Sequence, residues 1–178
     1  MSRTLLALLV PEAEPLVGEL RARYDPAARR GLGAHITLVY PFLDSADVTA
    51  DVRAGLSAVV GSYGPLSFHL EEVRTFPSTV WLAPTPPEPI HTLASAIEQA
   101  FPVRPTVGHA FARYTPHLTA ARDVRRERQL IADVLRLRVE TYGYVECTCH
   151  AVVLLESVDK RWRPSGAFPL GGAMHHPR

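Results

Sequence analysis

Two short stretches of the chain repeat one pattern: His35-Ile36-Thr37-Leu38 and His117-Leu118-Thr119-Ala120. Histidine can give or take a proton near neutrality, because its ordinary pKa lies there. Threonine carries a hydroxyl able to donate a hydrogen bond to an anion. Each stretch lies in an apolar, β-prone run, Ala34 to Phe42 and Tyr114 to Ala121. Along a strand, alternate side chains share a face. His35 and Thr37 are therefore predicted to point one way and Ile36 and Leu38 the other. The same alternation separates His117 and Thr119 from Leu118 and Ala120. Two such strands on one cleft would supply a general acid, a general base and two hydroxyl donors. In-line displacement at a phosphodiester needs that set: a base on one side of phosphorus, an acid on the other, and donors for the growing charge. The bland alternative is a pair of satisfied histidines on unrelated strands. Against it stands the shared context of an apolar residue between His and Thr, an apolar residue after, and a helix expected to follow.

The two motifs and their surroundings resemble the 2H phosphoesterase superfamily, in its branch of 2′-5′ RNA ligase-like proteins and cyclic phosphodiesterases. That superfamily is defined by two His-x-Thr-x motifs most of a domain apart. The resemblance is carried by Leu20 to Pro26 leading into Ala34 to Phe42, and by Pro116 to Arg122. It extends over roughly residues 4 to 170. Ala120 departs from it, standing where many members have a larger aliphatic residue, and so does Thr115, where a basic residue is common. The resemblance implies an α+β, bilobal fold of two pseudo-symmetric lobes, with antiparallel sheets lining a central cleft and helices outside. It implies metal-independent hydrolysis of 2′,3′-cyclic phosphate at RNA or nucleotide ends, with 2′-5′ ligation as the reverse reaction. His35 and His117 are then the expected catalytic pair, with Thr37, Thr119 and Arg122 expected to bind phosphate. Tyr40, Phe111 and Tyr114 are candidates for stacking on a base. No cofactor and no metal are expected. Two rival readings are a non-catalytic nucleotide or RNA-end binder using the same cleft, and a metal-dependent hydrolase with the histidines as ligands.

Composition narrows the classes. A chain of 178 residues is one domain of ordinary size, expected over 1–170 with a lobe crossing near 84–89 and a tail at 171–178. A net charge of +1 is not that of a protein wrapping long nucleic acid. The basic stretch of Arg21, Arg23, Arg29 and Arg30 offers a way to steer an RNA end. Thr4 to Val10 is too short to span a membrane, and acidic residues follow it. Cys147 and Cys149 are spaced to share a strand face as reduced thiols. The expectation is a cytoplasmic monomer without membrane contact or an obligate protein partner.

The elements that must position the motifs follow from periodicity. Strands are expected at Thr4–Val10, Ala34–Pro41, Leu66–Arg74, Val80–Pro84, Tyr114–Ala121, Val139–Cys147 and Ala151–Glu156, with a last short one within Arg161–Leu170. Helices are expected from Pro11 to Arg23, from an Asp44 or Ser45 cap to Ser62, over Ile90–Phe101, and from an Asp123 cap to Leu137. Residues 102–114 read as a long loop.

Overall fold

The computed structural model describes residues 2–102 and 114–171. Phe111 and the tail beyond 171 lie outside the described residues. In chain order the elements are β1 (Thr4–Leu9), α1 (Glu14–Tyr24), α2 (Pro26–Arg29), β2 (His35–Val39), α3 (Ala50–Gly61), β3 (Leu66–Phe76) and β4 (Thr79–Thr85). They continue as α4 (Glu88–Ala100), β5 (Leu118–Arg122), α5 (Arg128–Tyr142), β6 (Val145–Cys149), β7 (Ala151–Val158) and β8 (Arg161–Pro169).

The eight strands form one curled sheet in the order β6-β3-β4-β5-β2-β1-β7-β8. Every pairing is antiparallel. Its two halves meet at β5–β2, the two strands that carry the motifs. The halves echo one another. β1, α1 and β2 form one unit, and α1 reaches across to pack on β5; β4, α4 and β5 form the other, and α4 packs on β2. This is the bilobal, antiparallel α+β arrangement the resemblance implies. The 84–89 connector runs from β4 into α4, while the strands change halves between β2 and β3 and again between β6 and β7.

The four long helices, α1, α3, α4 and α5, cover one face of the sheet, and the apolar alternation explains which one. Ile36, Leu38, Leu118 and Ala120 are almost wholly buried, and they join the main core with Leu6, Leu8, Leu82, Leu16, Leu93 and Leu135. Burying a Leu or Ile side chain stabilises a fold by about 2–3 kcal/mol, so slipping either motif strand by one residue would cost several such terms at once. The opposite face has only a small apolar cluster around Leu5, Ala7, Leu32 and Leu155. It is the face left to His35 and Thr37.

Some boundaries differ from expectation. α3 starts at Ala50 rather than beside Asp44, because Thr49 Oγ1 accepts the Val52 N–H as its cap and residues 45–47 form a separate 3₁₀ turn. Asp123 does not cap a helix; it sits in the left-handed region at φ 59°, and α5 begins five residues later. α5 then runs to Tyr142, through Val139, which was expected in a strand. The stripe Ile131, Leu135 and Val139 keeps one helical face buried, and Gly143 at φ 81° ends it. β8 is nine residues long rather than a turn with a short strand. Pro26–Arg29, outside every expected helix and strand, forms a helical turn capped by Asp25.

Candidate active site

Register decides the site. Ile36 pairs with Leu118 across β2 and β5. Continuing that antiparallel pairing one residue each way sets His35 opposite Thr119 and Thr37 opposite His117. All four then lie on the sheet face away from the helices. Each histidine then stands opposite the other motif's threonine, and the two histidines occupy one diagonal. Diagonal neighbours in an antiparallel pair are about 7–8 Å apart, room for one phosphate between two rings.

The ring nitrogens are not equivalent. His35 Nδ1 lies 2.8 Å from the Gly33 carbonyl, and His117 Nδ1 lies 2.7 Å from the Thr115 carbonyl. A carbonyl only accepts, so Nδ1 carries the proton in both rings. Nε2 is then the nitrogen of the neutral ring with a free lone pair. The carbonyl two residues before each histidine thus fixes the tautomer, by the same local device twice.

The surroundings differ. His35 is 9% exposed, and burial drives its pKa down to about 4, with the positive charges of Arg21 and Arg122 also lowering it. His117 stands one residue before β5, half-buried between aromatic rings. Phe76 and Trp81 meet it edge-on, with ring centres 5.2 and 5.7 Å away. Burial lowers its pKa too, and Arg122 again adds to the effect. Thr119 is 8% exposed and pairs with Trp81 on β4. Beyond Trp81 opens a cavity of about 590 Å³, lined by Arg74, Ala83, Thr85, His91, Thr92 and Tyr114 among others. Arg74 lies over the Trp81 ring and pairs with Glu72.

The remaining candidates fall in varied places. Arg122 is exposed at the end of β5, and its charge is felt at both imidazoles. Tyr114 donates its hydroxyl to the Thr37 carbonyl at 2.8 Å, tying the approach to β5 onto β2. Tyr40 is 51% exposed, edge-on to Trp162. Phe111 falls outside the described residues. Arg21 is buried, so of the four arginines proposed to steer RNA only Arg23, Arg29 and Arg30 are placed to do so. Cys147 and Cys149 are free, buried thiols on one face of β6, pushed up to about 12 by burial. Among the described residues, no three His, Cys, Asp or Glu converge as metal ligands, and no helix is long and apolar enough to cross a membrane.

Sequence reasoning missed Phe76 and Trp81 beside His117, and Glu14, Arg21 and Asp25 beneath the first motif. The i, i+4 spacing of Arg21 and Asp25 was the one local signal available.

The sequence model of the 2′-5′ RNA ligase superfamily matches residues 9–161, and the chain belongs to that superfamily. No curated protein sequence matches it. The fold is similar to that of E. coli LigT complexed with 3′-AMP, with TM-score 0.62 and 20% identity over 95% of this chain and 98% of LigT. It is also similar to TT0787 of Thermus thermophilus, with TM-score 0.62 and 16% identity over 97% of this chain and 100% of that one. A crystal structure titled phosphoesterase, 19% identical over 96% and 99% of the two chains, gives 0.60.

Proposed function

We propose that this member of the 2′-5′ RNA ligase superfamily is a phosphodiesterase that opens 2′,3′-cyclic phosphates at RNA or nucleotide ends by two-histidine acid–base catalysis. The observation that carries the reading is the diagonal of two imidazoles, each with Nδ1 held by a carbonyl and each opposite a threonine hydroxyl. A phosphate between them would meet Nε2 on both sides. One Nε2 takes a proton from water as its oxygen forms the new bond to phosphorus. The other gives a proton to the ribose oxygen as the P–O bond breaks. Thr37 and Thr119 donate to the non-bridging oxygens, where charge grows. Arg122 adds positive charge at both rings. The same steps reversed, with an RNA 5′-hydroxyl as nucleophile, join ends through a 2′-5′ linkage.

Burial supports a division of labour. His35, held at about 4, is neutral over most of the pH range and suits the base; His117, less enclosed, suits the acid. The bound phosphate anion would raise the proton affinity of the acid, keeping it protonated to higher pH when substrate is present. The cavity beside Trp81 supports a nucleoside next to the phosphate, with Tyr114 on its wall. Tyr40, and Phe111 three positions before Tyr114 in the sequence, remain candidates for stacking on a neighbouring base. The nucleotide seen in the LigT complex, 3′-AMP, is of the class this reading assigns.

The test is hydrolysis of 2′,3′-cyclic nucleotides and of an RNA with a cyclic-phosphate end, in EDTA. His35→Ala and His117→Ala should each lower turnover by about 10²–10⁴-fold. Wild-type inactivity on every such substrate would overturn the proposal in favour of a binder. Activity lost only on adding EDTA would make the histidines metal ligands.

A further inference from the structure

Three charged side chains that touch neither strand of the site converge beneath the first motif. Arg21 is 2% exposed and Asp25 1%. Arg21 donates through Nε and Nη2 to Asp25 Oδ2 at 3.2 and 3.1 Å, and through Nη2 to the Leu32 carbonyl at 2.9 Å. Its Nη1 lies 3.8 Å from Glu14 Oε1. The same Glu14 oxygen accepts the Ala34 N–H at 2.6 Å. Asp25 Oδ1 accepts the Ala27 N–H, which fixes the turn that returns the chain toward β2. Space is cleared for the carboxylate: a Cβ at Gly18 would stand 2.8 Å from Glu14 Oε2, and one at Gly33 would stand 3.4 Å from Oε1.

The peptide plane connects this cluster to the chemistry. The Gly33 carbonyl and the Ala34 N–H belong to one planar trans unit and point in opposite directions. The carboxylate that holds the N–H therefore aims the carbonyl, and that carbonyl accepts the hydrogen bond from His35 Nδ1–H. Arg21 holds the Leu32 carbonyl of the preceding peptide unit, so both units ahead of His35 are held. Burying an ion pair is weak support for stability, since apolar residues often do as well. We infer that the Glu14–Arg21–Asp25 cluster is a positioning device that keeps His35 in the Nδ1–H tautomer with Nε2 free.

This inference builds on the proposed acid–base role of His35, but its test does not need turnover. Long-range ¹H–¹⁵N NMR of ¹⁵N-histidine-labelled full-length protein reads the tautomer of each ring. In the wild type His35 should show a single Nδ1–H form. Arg21→Gln and Glu14→Ala should each mix in the Nε2–H form at His35 and leave the His117 signals unchanged. Turnover of a 2′,3′-cyclic nucleotide should fall alongside, by up to about 100-fold, through kcat more than KM. Should Arg21→Gln fail to fold, Glu14→Ala carries the test, because its side chain is 43% exposed. A folded Glu14→Ala protein with His35 still wholly in the Nδ1–H form would overturn the inference. A wild type without turnover whose His35 tautomer responds to Glu14→Ala would defeat the proposed function and leave the positioning role standing.

Discussion

The two motifs present the same groups to one face, yet they are held by different means. In both, Nδ1 donates to the carbonyl two residues earlier. Before His35 that carbonyl is aimed from behind by Glu14, reached through a helix and an ion pair. Before His117 the corresponding peptide unit is Thr115–Pro116, and proline has no N–H to grip. Its ring fixes φ instead, and Phe76 and Trp81 wedge the imidazole from the β3–β4 side. The pseudo-symmetric strands thus present matching side chains on asymmetric supports. What the proposed reaction would need is the tautomer and the diagonal spacing, and a fold can meet both by ionic or by steric means.

The largest effect that could break this comparison is on stability in acid. His35 folds with a pKa near 4 against an ordinary value of 6.5. A depressed pKa means the unfolded chain binds the proton more readily. Stability is thus full above about pH 6.5 and is lost as pH falls toward 4, by about 3 kcal/mol if His35 acts alone. Denaturant unfolding of wild type and His35→Gln at pH 7 and pH 4.5 should show a clearly larger loss in the wild type, since the lowered pKa of His117 costs both proteins alike. An equal loss in both would deny His35 its buried, neutral state.

Next is the pH dependence of turnover. The kcat/KM profile reports the free enzyme, in which both histidines lie below 6.5. The active form has one ring neutral and one protonated, so kcat/KM should peak below pH 6.5. It should fall above as His117 gives up its proton, and fall near pH 4 as His35 gains one. A maximum above pH 7.5 would contradict the pairing.

Smaller effects sharpen the contrast between supports. Trp81→Leu removes one of the aromatic edges against His117 and should cost about tenfold in kcat/KM, with the His35 NMR signals unmoved. Movement of the His35 signals instead would mean the supports are shared. Pro116→Ala restores an N–H and frees φ, and should cost no more than about threefold in kcat, again on the His117 side alone. A larger loss would show that the proline, rather than the aromatic wedge, is the main restraint on that ring.

Much of the candidate site was legible because it is local. Alternation in a strand has period two, so His35 with Thr37 and His117 with Thr119 could be placed on shared faces from a few residues each. Helix extents were less legible where a stronger distant demand prevailed. Asp123 looks like a cap, but Val124 donates its N–H to the Ser78 carbonyl and the chain must turn there first. Val139 is β-branched, but its place four residues after Leu135 keeps it in α5. Arg21 read as a surface charge because it shares a basic stretch with Arg23, Arg29 and Arg30, which are exposed; only the packing of α1 shows Arg21 enclosed.

The sequence by itself determined which side chains could do chemistry, which faces of their strands they occupy, and the α+β alternation that buries the rest. Tertiary structure alone decided that Ile36 meets Leu118, and with that pairing the diagonal of the two imidazoles. It also decided which residues brace them: Glu14 lies 20 positions from the Ala34 amide it holds, and Trp81 reaches His117 from another strand. Such contacts join residues far apart in the chain. Local propensity has no term for them, and they form only when burial of the apolar faces brings the strands into register.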